Sequence, residues 1–136
     1  MTFKFSQRSE KHLTGVHPDL VKVVRLALTL AKQDFSVIEG VRTLERQKEL
    51  VAKGASKTLN SRHLTGHAVD LVPYPVNWDK WSEFKQLADT VKQAAKQLNV
   101  PIVWGGDWTS FKDGPHFELD RAVFDILPAL KNGDSY

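Results

Sequence analysis

Ser61-Arg62-His63-Leu64-Thr65-Gly66-His67-Ala68-Val69-Asp70-Leu71-Val72-Pro73 is the stretch on which the fold turns. From His67 to Val72 it is short, largely apolar and β-branched, and Pro73 and Pro75 close it. That is the pattern of a strand. Successive strand side chains point to opposite faces, so His67 and Asp70 fall on opposite sides of the sheet. A carboxylate among Ala68, Val69, Leu71 and Val72 is costly unless it is paired or holds a metal.

Working outward, residues 55–66 form a polar loop. Before it, Phe35 to Val41 is a short β-branched strand ending near Gly40, and Thr43 caps a helix that ends at Gly54. Pro18 opens an earlier helix with Leu20, Val23, Val24, Ala27, Leu30 and Ala31 at helical spacing. After the strand, Asn77 or Asp79 caps the longest helix. Its apolar positions Trp81, Phe84, Leu87, Ala88, Val91, Ala94, Ala95 and Leu98 recur at three- and four-residue steps. Ile102 to Trp104 and Pro115 to Leu119 are the last strands, with a turn-rich Gly105-Gly106-Asp107-Trp108 between them. Ala122 to Leu130 is a short helix interrupted by Pro128. The expected class is α+β: a small, mainly antiparallel sheet with helices on one face.

The chain has 136 residues, enough for one domain, and 41% are hydrophobic, which suffices for a core without covalent staples. There is no cysteine, so disulfides and thiolate metal sites are excluded. No stretch is apolar for long enough to span a membrane, and the first ten residues contain no apolar signal core. Net charge is +3 with acids and bases interleaved, which lacks the basic stripe of a nucleic-acid-binding protein.

Chemistry concentrates in His63, Asp70, Asp113 and His116. Two imidazoles and a carboxylate are a zinc-ligand set, and three protein ligands leave one tetrahedral position open, as in catalytic sites. A further carboxylate beside the metal is what a hydrolase needs to take a proton from water. The first histidine has two candidates. His63-x-x-x-His67 would share a face on a helix. Gly66 between them, Leu64 in place of a Glu base and the alternation after Gly66 all favour His63, and spacing alone leaves His67 open. His12 and His17 have no comparable context.

The pattern Ser61-x-His63-x-x-Gly66-x-Ala68-x-Asp70, followed by Asp113-x-Pro115-His116-Phe117, resembles the D-Ala-D-Ala carboxypeptidase-like family of zinc peptidases. Gly40-Val41-Arg42-Thr43 with Gln47, and Trp104-Gly105-Gly106-Asp107-Trp108, extend the resemblance over almost the whole chain. Asp113 before Pro-His-Phe looks most like the phage endolysins that are L-alanyl-D-glutamate endopeptidases; the carboxypeptidases and dipeptidases of the same fold are the alternative. The resemblance implies one Zn²⁺ held by His63, Asp70 and His116, with Asp113 as catalytic base. From their own chemistry, Arg42 suits a substrate carboxylate or the developing oxyanion, Gln47 the peptide, Ser61 either substrate or the loop itself, and Trp104 and Trp108 the core or a cleft wall, Trp108 toward substrate. Asp107 is either a partner of a ligand histidine or a turn cap. The implied substrate is the peptidoglycan stem peptide. The implied setting is a monomeric single catalytic domain without a wall-binding module. It would be made in the host cytoplasm and released to the wall through a separate pore.

Overall fold

The structure is a computed structural model that describes residues 3–56, 58, 61–110 and 112–124. Two helices supply much of the core. In α2 (Pro18–Leu30), proline stands at the first turn and His17 Nδ1 accepts the Asp19 N–H at 3.1 Å. Its buried stripe is Leu20, Val23, Val24, Ala27 and Leu28. The longest helix, α4 (Trp81–Leu98), buries Phe84, Leu87, Ala88, Val91, Ala94 and Ala95, and ends at Asn99 in the left-handed conformation. Neither Asn77 nor Asp79 caps it. The cap position is Lys80, without a side-chain bond, and Asn77 Oδ1 instead accepts the Asp79 N–H in a local turn.

Four strands form one antiparallel sheet in the order β1-β2-β4-β3: β1 (Phe35–Glu39), β2 (Ala68–Pro73), β3 (Ile102–Trp104) and β4 (His116–Leu119). Helix α4 lies on β2 and β3, and α2 packs against α4. Alternation sorts the side chains. Val69 and Leu71 of β2, Phe117 and Leu119 of β4 and Trp104 of β3 join the same apolar core as the two helices. Truncating a fully buried leucine such as Leu71 to alanine costs about 2–5 kcal/mol. The intervening residues Asp70, His116 and Glu118 point the other way. The register makes Glu39, Asp70 and His116 neighbours across β1, β2 and β4.

Helix α1 (Gln7–Leu13) has no apolar stripe to announce it, burying only Ser9 and Leu13. Ser6 caps it, and Ser9 Oγ accepts the Val37 N–H of β1. Helix α3 (Leu44–Ala52) starts at the Thr43 cap as expected and stops two residues before Gly54, which sits at positive φ. Within the polar loop, Arg62–Thr65 forms a 3₁₀ turn. Of the expected last helix, α5 covers Arg121–Phe124; the rest lies outside the described residues. No helix among the described residues is long and apolar enough to cross a membrane.

Candidate metal centre

His63 is fixed from several sides. Ser61 Oγ caps the 3₁₀ turn by accepting the His63 N–H at 3.2 Å, and the turn ends at Gly66 in the left-handed conformation. A Cβ on Gly66 would stand 2.6 Å from the Gly15 carbonyl oxygen, so no other residue fits without movement. The segment after β1 then clasps His63: the Arg42 N–H donates to the His63 carbonyl at 2.9 Å, and His63 Nδ1 pairs with the Gly40 carbonyl at 2.8 Å. A carbonyl can only accept, so Nδ1 carries a proton, and in the neutral ring Nε2 is the nitrogen left to hold a metal.

That Nε2 stands 3.2 Å from Asp70 Oδ1. Across the β2–β4 pair, His116 Nδ1 stands 3.5 Å from the same oxygen. One ligand atom each from His63, Asp70 and His116 lies within 4.8 Å of the other two. His116 Nε2 faces Glu118 Oε1 at 2.8 Å, which frees Nδ1 to coordinate. Each imidazole thus has its outer nitrogen engaged and its inner one aimed at a common point, the arrangement that orients metal-bound histidines. His67 is elsewhere: its Nδ1 meets Thr65 Oγ1 at 2.7 Å, and its ring lies 5.4 Å from that of His17.

Charge is concentrated here. Burial works to raise the Asp70 carboxyl, but hydrogen bonds and charge from His116 and His63 outweigh it and hold the group well below the usual carboxylate range. Burial likewise disfavours the charged form of His116. Asp70 and Glu118 overcome that and push its pKa up to about 9 in the metal-free protein. Burial also opposes ionisation of Glu118, and His116 with Arg121 more than compensates, leaving it lowered. Asp113 moves the other way, raised first by burial and then by the Asp70 charge.

The triad opens onto a cleft walled by Arg42, Ser61, Trp108, Asp113 and Arg121. Gly105 brings Asp113 to it: a Cβ there would lie 2.5 Å from the Asp113 carbonyl oxygen and 3.0 Å from His116 Cβ. Trp108 places its ring 5.1 Å from that of His116. Trp104 lies in the core, where its Nε1–H donates to the Gly114 carbonyl at 2.7 Å and anchors the loop carrying Asp113. Arg42 is nearly buried. Its Nη1 donates to Gln47 Oε1 at 2.6 Å, its Nη2 to Glu39, and Nη2 lies 3.7 Å from Asp70 Oδ2.

The family model of the phage L-alanyl-D-glutamate peptidases matches residues 1–128. The chain belongs to this family. It is 36% identical over 131 residues to the L-alanyl-D-glutamate peptidase of Escherichia phage T5, spanning 92% of this chain and 95% of that one. It is also similar to the crystal structure of Serratia marcescens L-Ala D-Glu endopeptidase ChiX, with a TM-score of 0.83 and 49% identity over 91% of this chain and 93% of that chain. The vancomycin-resistance D,D-dipeptidase VanXYg shares the fold alone, with a TM-score of 0.50 and 17% identity over 88% of this chain and 56% of that one.

In this member of the L-alanyl-D-glutamate peptidase family, two residues stand differently from the sequence reading. Gln47 is fully buried behind Arg42, and its amide donates to Ser56 Oγ at 2.8 Å, so it braces Arg42 from outside the cleft lining. Asp107 pairs with Lys92 at 2.7 Å at an exposed position and touches neither His63 nor His116. The partners of those histidines are the Gly40 carbonyl and Glu118. The sequence does carry a signal for Glu118: two residues after His116 on a strand, it shares that residue's face. Glu39, the carboxylate partner of Arg42, carries no such signal, because only strand pairing brings it beside Asp70.

Proposed function

We propose that this protein is a zinc-dependent endopeptidase that hydrolyses the L-alanyl–D-glutamate bond of the peptidoglycan stem peptide. It acts as a phage endolysin that lyses the host cell. The observation that carries this reading is the convergence of His63, Asp70 and His116 on one point, with Asp113 on the same cleft, in a chain of this family. Two imidazole nitrogens and one carboxylate oxygen suit zinc, and with no cysteine in the chain they are the donor types available. The three would hold one ion at the cleft on the sheet face opposite α4. Bound zinc supplies Lewis acidity toward the scissile carbonyl and toward a water.

The chain's own groups do the rest. Asp113 accepts a proton from the attacking water as its oxygen joins the alanyl carbonyl carbon. It then passes a proton to the departing D-glutamyl nitrogen as the C–N bond breaks. Arg42, held by Glu39 and Gln47, offers fixed positive charge to the oxyanion at no cost in reorganisation. Ser61 and Trp108 border the bound peptide. On this reading the protein is made in the host cytoplasm and reaches the wall through a separate pore.

Digestion of purified murein with mass analysis of the products, alongside metal content, tests the proposal. Cleavage after L-alanine with about one zinc per chain is expected. Loss of a terminal D-alanine would reassign the bond, and full activity after exhaustive chelation would remove the metal from the mechanism.

A further inference from the structure

Among the described residues three arginines line the cleft, and they are not equivalent. The side chains of Arg42 and Arg62 are each 8% exposed, and that of Arg121 is 56% exposed. Arg42 has both terminal nitrogens engaged by Gln47 and Glu39. Arg62 donates through Nη2 to the Leu119 carbonyl at 3.1 Å and lies beside Glu118. Arg121 alone combines an anchored base with an accessible end. Its Nε donates to Glu118 Oε2 at 3.3 Å, and Glu118 Oε1 meets His116 Nε2 at 2.8 Å. The guanidinium therefore stands one carboxylate away from a ligand imidazole. Among the described residues neither terminal nitrogen has an acceptor, and that edge of the guanidinium matches a second carboxylate.

Among the described residues, the acids Glu39, Asp70, Asp113 and Glu118 also line the cleft. Glu39 is paired with Arg42, and Glu118 with Arg62 and Arg121, so among these described cations Arg121 is the one exposed enough to meet an anionic substrate group. The proposed substrate is anionic in the right place. Glutamate has two carboxyl groups, and continuing the peptide uses only one. The free one lies within a residue of the scissile bond, a span of roughly 3.5 Å, and the next residue's carboxylates lie about twice as far.

We infer that Arg121 is a specificity-determining residue that binds a free carboxylate on the leaving, D-glutamyl side of the scissile bond. This rests on the proposed function and names the substrate feature that the same site selects. Arg42 then remains with the oxyanion, and the two cations divide the work by exposure.

The test uses the zinc-loaded full chain, as wild type, Arg121→Gln and Arg121→Lys, on three synthetic stem peptides. One has all carboxylates free, one has the free D-glutamyl carboxylate amidated, and one has the following residue's carboxylates amidated. Wild type should prefer the free acid. Arg121→Gln should lose roughly 10- to 100-fold in kcat/KM on it, mainly through KM, and change little on the peptide lacking the recognised carboxylate. Arg121→Lys should recover part of the loss. Whichever amidated peptide is indifferent to Arg121→Gln identifies the carboxylate. Equal losses on all three peptides, or zinc loss in Arg121→Gln, would show that Arg121 acts through Glu118 and His116 and overturn the inference. So would a wild type indifferent to amidation. Calorimetric binding of the D-glutamyl product peptide and its amide to wild type and Arg121→Gln reads the same preference without turnover. Cleavage at another bond would then defeat the proposed function while the binding difference still decides Arg121.

Discussion

Glu118 accepts a hydrogen bond from His116 Nε2 at 2.8 Å, both residues lying on one face of β4 two positions apart. The contact fixes the ring so that Nδ1 faces Asp70. Strand alternation supplies it at no cost in chain length, and it makes His116 a stronger base. Glu118→Gln should therefore keep the fold and weaken zinc binding on the order of 10- to 100-fold. Competition against a chromophoric chelator measures this; an unchanged affinity would leave Glu118 a merely structural partner.

The same cluster makes the metal-free protein sensitive to pH. The folded-state pKa of His116 is about 9 against the ordinary 6.5. A raised pKa stabilises fully below the unfolded value, and the contribution disappears as pH rises through the folded one. The melting temperature of the metal-free protein should fall between pH 6.5 and 9, through this group. In the zinc-loaded protein the metal has displaced that proton, so the decline should be absent. Zinc uptake at pH 7 should release about one proton into the buffer. Calorimetry in buffers of different ionisation enthalpy counts it.

Gln47 offers a test of bracing from outside the cleft. It is fully buried and holds Arg42 Nη1 at 2.6 Å. Gln47→Ala should destabilise the fold by about 1–3 kcal/mol, because the Arg42 donor is left in a buried place without its acceptor. It should also lower kcat more than KM, since Arg42 loses its fixed position while no substrate contact is removed. Denaturant titration and steady-state kinetics together check both halves.

What could be read in advance follows from where the information lies. Periodicity revealed α2 and α4 because each buries a stripe of side chains, and alternation put Asp70 and His67 on different faces. α1 escaped because it buries only Ser9 and Leu13 and owes its start to the Ser6 cap. The start of α4 was misplaced because Asn77 spends its side chain on a turn two residues ahead. Asp70 was conspicuous as a lone acid in an apolar strand. Glu39 was not, since its meeting with Arg42 and Asp70 depends on the pairing of β1 with β2.

His63 and His67 are both buried, yet only one faces Asp70. His63→Ala should abolish stoichiometric zinc binding and activity. His67→Ala should leave both largely intact while lowering stability, because it empties a packed position beside His17. Metal analysis of the two purified variants decides between them, and the reverse result would make His67 the ligand.

Asp113 joins the cleft without belonging to the triad, so removing its charge separates base from metal. Asp113→Asn should retain zinc and the fold and lose on the order of 10²- to 10⁴-fold in kcat. Its acid form is favoured by burial and by the Asp70 charge, which places its ionisation above that of an ordinary aspartate in the metal-free protein. A bound dication works against that shift. The base must be ionised to act, so activity falls as pH drops through its pKa. A second loss follows from protons competing with zinc at His63 and His116. Excess zinc should restore the part of the acid limb due to metal loss and leave the part due to Asp113. Rate profiles at two zinc concentrations, with bound metal measured at each pH, separate the two. Near-normal turnover by zinc-loaded Asp113→Asn would take Asp113 out of the proton transfer.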